Sequence, residues 1–98
     1  MGFFFGSNAG TPSYKATAEL AQKIQRKGGG NSPGATELLR LMTAGRDPEQ
    51  LNPAEAAQAA QSLRQVAPRL RGTDRGHVER IAADAEEAAR SNRPWTVG

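Results

Sequence analysis

The sequence contains no cysteine and only one histidine, His77. The absence of cysteine excludes disulfide bonds, thiolate metal sites and cysteine nucleophiles. It also agrees with a reducing cytoplasm, where we expect the protein to reside. Catalysis needs a nucleophile with its base, a set of metal ligands or paired carboxylates, and few such groups are present. We therefore predict a protein that is not an enzyme, with no cofactor, no metal and no small-molecule substrate.

Long apolar runs are also missing. No run approaches the roughly 18–20 residues of a transmembrane helix. The longest aromatic run, Phe3 to Phe5, has no basic residue before it and no apolar region of signal-peptide length after it. We expect a soluble protein without a membrane segment.

Excess charge is small, with a formal net charge of +3 from 13 basic and 10 acidic residues. A total this low does not by itself indicate a nucleic-acid partner. The distribution is more informative, because residues 61–75 carry four arginines against Asp74 alone, whereas residues 31–60 are net negative. We expect a bipolar surface.

The best-specified segment is Leu51 to Leu70. Asn52 is a typical helix N-cap, Pro53 suits the first helical position, and Glu55 completes a capping box. Apolar residues then recur at three- and four-residue steps, until Pro68 ends or kinks the helix.

Three further segments have the same kind of start or stop signals. Thr11 or Ser13 caps the first helix, Ser32 precedes Pro33 at the second, and Thr73 or Asp74 caps the fourth. Gly45 is expected to end the second helix, and Asn92 with Pro94 the fourth. The predicted helices cover residues of about 12–27, 33–44, 53–67 and 74–91.

Seventeen residues are alanine, and many of them lie on one face of helices 3 and 4. Small residues let two helices approach closely, and a loop of about five residues returns the chain beside itself. We predict a mainly α fold, with about four helices in a compact single-domain bundle spanning residues 1–98. Helices 3 and 4 form a close antiparallel hairpin within it.

The two ends have extended character. Residues 2–6, GFFFG, and residues 94–97, PWTV, are rich in strand-forming residues. They are predicted to meet as a two-stranded ribbon or an irregular clasp, and the alternative is two frayed ends. Residues 46–50 are interpreted as a connector.

Helix 2 is apolar nearly all round, with Leu38, Leu39, Leu41 and Met42 in five positions. A surface helix needs only one apolar stripe. The helix is therefore either buried between two layers or carries a partner face. In the second case Leu39 and Leu41 would form an apolar interface.

The four arginines after the middle of helix 3 are the one concentration of charge. Arg64, Arg69, Arg71 and Arg75 could converge on one corner and neutralise phosphates. The alternative is a solvated loop whose arginines pair with Asp74 and Glu79. A helix-turn-helix is disfavoured, because helix 4 carries several carboxylates that would repel DNA.

Other motifs are weak. The glycines at 28–30 follow a helix, whereas phosphate-binding loops follow a strand and lead into Lys and Ser or Thr. His77 and Glu79 form an H-x-E, but zinc deaminases with that motif also need two cysteines, so we interpret His77 as a surface or boundary residue. Asp84 and Glu87 are expected on a solvated face, paired with Arg80 and Arg90.

Four features resemble a group of small proteins of high-GC actinobacteria and their phages. They are the M-G-aromatic start, the S-Y-x-A of Ser13 to Ala16, the L-x-P-x-E-A of Leu51 to Ala56, and an Ala/Arg-rich last helix closing on Pro94-Trp95. The resemblance implies a source and no activity.

The sequence therefore predicts a non-enzymatic protein that acts by macromolecular interaction, with another protein or with itself as partner. The alternative is a weak nucleic-acid-binding accessory or regulatory protein that uses the arginine cluster.

Overall fold

A computed structural model describes residues 3, 5, 13–30, 32–44 and 49–98, and of Ala44 the backbone alone. The predicted stop at Gly45, the candidate cap Thr11 and most of the segment 2–6 lie outside the described residues.

In these described residues, four helices and one small sheet form the fold, so the predicted mainly α class is confirmed. The helices are α1 (Tyr14–Arg26), α2 (Pro33–Ala44), α3 (Pro53–Val66) and α4 (Gly72–Arg90), and the strands are β1 (Glu49–Leu51) and β2 (Trp95–Val97). A 3-10 turn, Ala67–Arg69, follows α3. Among the described helices, none has the length and apolar composition needed to cross a bilayer.

Local capping explains most of the helix ends. The Ser13 hydroxyl accepts a hydrogen bond from the Ala16 amide at 3.1 Å, which fixes the start of α1. At α3 the predicted capping box is present, with Glu55 N to Asn52 Oδ1 at 2.8 Å and Asn52 N to Glu55 Oε1 at 3.0 Å. Asn92, in the left-handed conformation with φ 53°, follows the end of α4 as predicted.

The start of α4 differs from the prediction. The helix begins at Gly72, and its N-cap is Arg71, which makes no side-chain capping bond. Thr73 and Asp74 are therefore inside the first turn. Gly72 has a φ of 60°, in the left-handed region that glycine adopts without steric cost. The helix therefore begins before the polar residues that resemble caps.

Among the described elements, helices α3 and α4 form the most extensive contact, which confirms the predicted hairpin. The alanine faces of both helices are buried. The pairing lets the larger side chains of α2, β1 and β2 pack around one core. The alanines concerned are Ala56, Ala59, Ala60, Ala82, Ala85 and Ala88.

The predicted C-terminal strand is present, but most of its pairing is with a segment that the sequence indicated as a connector. β1 and β2 are antiparallel, with Leu51 opposite Trp95 and Glu49 opposite Val97. Phe5 also pairs with Val97 in a single antiparallel bridge. Within the described part of the chain, the N- and C-terminal segments therefore do meet, at one residue pair, beside the two-stranded sheet.

Candidate functional site

Five cationic side chains line one surface pocket of about 420 Å³. Two come from the last turn of α1, one is the C-cap residue of that helix, and two come from the turn and loop before α4. We call this group, together with the buried Leu70 that also lines the pocket, the basic pocket. Its cations are Lys23, Arg26, Lys27, Arg69 and Arg71.

Two backbone features bring these groups together. Helix α1 stops because Gly28 takes a φ of 90° and the Gly29 amide donates to the Ile24 carbonyl at 3.0 Å. Pro68 ends α3 in a 3-10 turn, which places Arg69 against that stop. Arg69 Nη1 donates to the carbonyl oxygen of Lys27 at 2.7 Å, which ties the turn to the end of α1.

The electrostatics of the basic pocket are unbalanced. Lys23 Nζ lies 2.8 Å from Asp74 Oδ2. Within the part of the chain that the structure describes, the other four cations form no ion pair with a carboxylate. The negative end of the α1 dipole offsets only a fraction of this charge, so the pocket attracts anions.

Two of the four arginines predicted to converge do so, namely Arg69 and Arg71. Arg64 instead binds Glu86 of α4 through two hydrogen bonds, Nε to Oε2 at 3.1 Å and Nη2 to Oε1 at 2.8 Å. This contact raises the pKa of Arg64 and lowers the pKa of Glu86. Arg75 lies 3.7 Å from Glu79, as the alternative of local pairing predicted.

The sequence interpretation missed Lys23, Arg26 and Lys27 as site residues. Cations at the C-terminal end of a helix are expected there for the helix dipole alone. The available signal was three cations within five residues immediately before a chain reversal at glycine. Their approach to Arg69 is a tertiary contact, which no local pattern encodes.

The exposure of Leu39 and Leu41 on which an apolar interface on α2 depended is not found. Leu39 is 6% exposed and Leu41 is 0% exposed, so both belong to the core. Packing of α2 between α1 and α3 covers both sides of the helix. The all-round apolar pattern therefore reflects burial between layers, the other alternative left open by the sequence.

The predicted solvated carboxylate face is wrong for Asp84. This side chain is 7% exposed and accepts a hydrogen bond from Trp95 Nε1 at 2.7 Å. Glu87 does pair with Arg90, at 3.5 Å. Among the described residues, no three histidine, aspartate or glutamate side chains are placed to hold a metal ion.

His77 lies at the boundary of the core, where its ring meets the ring of Phe5 edge-on with centroids 6.2 Å apart. Its Nε2 is buried and has no hydrogen-bond partner among the described residues. Burial lowers the pKa of His77 below its ordinary value of 6.5, nearby Arg80 lowers it further, and Asp74 opposes the shift.

This shift predicts a stability that falls in mild acid. Because the unfolded chain binds a proton near pH 6.5 and the folded chain does so only at lower pH, the free energy of unfolding decreases as pH falls below that value. The slope is at most about 1.4 kcal/mol per pH unit. Urea unfolding at a series of pH values, from neutral pH down to the onset of carboxylate protonation, measures how the free energy of unfolding depends on pH. A His77→Gln variant should show a flatter profile, and parallel profiles would contradict the assignment.

Comparison with known proteins identifies a family. A model described as a domain of unknown function, DUF7739, matches residues 6–97. No curated protein and no solved structure matches the chain. The chain belongs to the DUF7739 family.

Proposed function

We propose that this protein is non-enzymatic and acts by binding nucleic acid through the basic pocket. The observation that supports the proposal is the presence of four cations at one pocket without carboxylate partners among the described residues. Surface cations that serve only the fold are usually interspersed with acids, as Arg40 is with Glu37 and Glu49. Unbalanced charge at one place favours an anionic partner.

The chemistry of the pocket suits phosphate. Arginine presents a planar fork of donors that matches two phosphate oxygens, and lysine adds a point charge. The pocket combines three arginines with two lysines at the surface. Contacts of this kind supply most of the affinity of sequence-independent nucleic-acid binding.

A protein partner was the first expectation from the sequence, because helix 2 and the two ends of the chain carried an excess of large apolar residues. The members of this set that the structure describes are buried, so none of them offers an apolar surface to a partner. The basic pocket makes nucleic acid the better-supported macromolecular partner.

The test is binding to a fluorescently labelled DNA duplex, measured by anisotropy. If about four phosphates are contacted, affinity should rise on the order of 100-fold between about 200 mM and about 50 mM salt. A triple variant, Arg26→Gln, Lys27→Gln and Arg71→Gln, should remove most of this binding. Its melting temperature should stay within a few degrees, because all three side chains are exposed.

The matched control removes the same charge elsewhere. Arg80, Arg90 and Arg93 line a different pocket, beside Asp84 and Glu87. Changing these three to glutamine should leave most of the affinity intact. If both triple variants lose affinity equally, binding depends on net charge alone and the proposed site is wrong.

A substitution of Asp74 should change the affinity for nucleic acid in the opposite direction. Asp74→Asn removes the carboxylate that pairs with Lys23, which frees a fifth cation for phosphate. One extra exposed ion pair of about 0.6 kcal/mol corresponds to about threefold tighter binding. An unchanged or weaker affinity would contradict a role for Lys23.

The proposal includes a location in the cytoplasm and an origin among actinobacteria or their phages, as the sequence resemblance implies. Genes adjacent to the coding sequence would test the origin. A DNA-processing or regulatory neighbourhood would support nucleic-acid binding.

A further inference from the structure

We infer that the nucleic acid is bound as a duplex, through phosphates alone and without reading of bases. This inference rests on the proposed function and specifies its ligand. It follows from what the basic pocket contains and from what lies around it.

Among the residues that the structure describes, the pocket has no platform for unstacked bases. Proteins that hold single strands combine cations with aromatic side chains on which successive bases stack. The described residues that line this pocket are cations and Leu70, with no aromatic ring among them.

The aromatic residues that the structure describes have other positions. Phe3, Phe5 and Trp95 are buried in the core. Tyr14 is partly buried against that core and lies nine residues before Lys23, about 14 Å along the axis of α1. None of the four supplies a stacking surface at the basic pocket.

Among the described elements, none projects from the pocket to reach base edges. Base reading in the major groove requires a helix or ribbon that enters a groove about 8.5 Å deep. Here α1 ends at the pocket, and α4 begins beside it with Gly72, Thr73 and Asp74, whose carboxylate pairs with Lys23 of the pocket. The contacts available are therefore those of side chains with the backbone of the nucleic acid.

For phosphate contacts alone, a duplex is the better ligand. A duplex carries one charge per about 1.7 Å of its axis, whereas a single strand carries one per about 3.4 Å. Each neutralised phosphate contributes about 0.9 to the slope of log affinity against log salt concentration for a duplex, and about 0.7 for a single strand. For about four contacts, lowering salt from about 200 to about 50 mM should strengthen duplex binding about threefold more than strand binding.

The experiment compares the unmodified protein with a short duplex, each separated strand, and a duplex of scrambled sequence. The duplex should bind severalfold more tightly than either strand, and the two duplexes should agree within about twofold. Equal or tighter binding of a strand, or a clear preference between duplex sequences, would overturn the inference while leaving the proposed function in place. Absence of binding to every form at low salt would overturn both.

Discussion

Gly34→Ala is expected to lower the free energy of unfolding by at least about 3 kcal/mol and the melting temperature by more than about 10 °C. Gly34 lies in the first turn of α2, where that helix meets the first turn of α3. A Cβ atom at this position would lie 2.1 Å from the carbonyl oxygen of Glu55 and 2.9 Å from Cβ of Gln58. Both distances are far below van der Waals contact, and the nearer atom belongs to the backbone.

The surroundings of Gly34 cannot easily yield. Glu55 is held by the capping box with Asn52, so its carbonyl group is fixed at the start of α3. Moving α2 instead would break the hydrogen bond from the Gly34 amide to Gln58 Oε1, now 2.8 Å long. That bond satisfies one of the amides that a helix start leaves unpaired, so its loss adds to the steric effect.

Gly76→Ala is the matched control. An added Cβ at Gly76 meets no atom within 4 Å, and the residue lies inside α4. Because glycine is a poor helix former, this change should raise the free energy of unfolding by about 0.5–1 kcal/mol. Chemical unfolding of the two variants separates the effects. A Gly34→Ala variant as stable as the native protein would show that α2 and α3 do not cross as closely as described.

The helix boundaries could be predicted from sequence because they depend on local chemistry. Asn52 and Glu55 satisfy each other's backbone amides across three residues, and Asn92 takes the left-handed conformation just after α4. Interactions between residues this close in sequence are the same in an isolated peptide and in the folded protein. The exception is the start of α4, where Gly72 turns the chain before the polar residues that resemble caps.

Strand β1 was not predictable for the opposite reason. Its three residues, Glu49 to Leu51, include a single apolar side chain, so the segment has little strand propensity of its own. The segment is extended because β2 lies beside it, with Leu51 opposite Trp95. Strand formation there depends on the last residues of the chain, which no pattern within residues 49–51 indicates.

Two of the five cations of the basic pocket were predicted from the sequence. Arg69 and Arg71 stand out because they are close in sequence. The end of α1 was not joined to them, because the contact of Lys27 with Arg69 spans 42 residues. Arg64 was included by sequence proximity alone, yet its side chain lies against Glu86 of α4. The density of arginines in the sequence therefore indicated the region of the basic pocket, and the packing of α1 determined which side chains line it.

Trp95→Phe is expected to lower the free energy of unfolding by about 3 kcal/mol. Trp95 is 2% exposed, and its indole Nε1 donates to Asp84 Oδ2 at 2.7 Å. Phenylalanine removes that donor and leaves a buried carboxylate without it, a loss of about 1.5–3 kcal/mol for a hydrogen bond to a charged group. The smaller ring also leaves space in the core, which adds to the loss.

A double-mutant cycle with Asp84→Asn isolates the hydrogen bond from the packing. Asparagine keeps an oxygen that can accept from the indole but carries no charge, so this single change should have the smaller effect. In the Trp95→Phe background the same change should be neutral or stabilising, because an amide is less costly than a carboxylate to bury without a partner. The coupling energy is therefore expected to be at least about 1 kcal/mol. Additive effects would show that Trp95 holds β2 against α4 by packing alone, and that the Asp84 carboxylate is satisfied in another way.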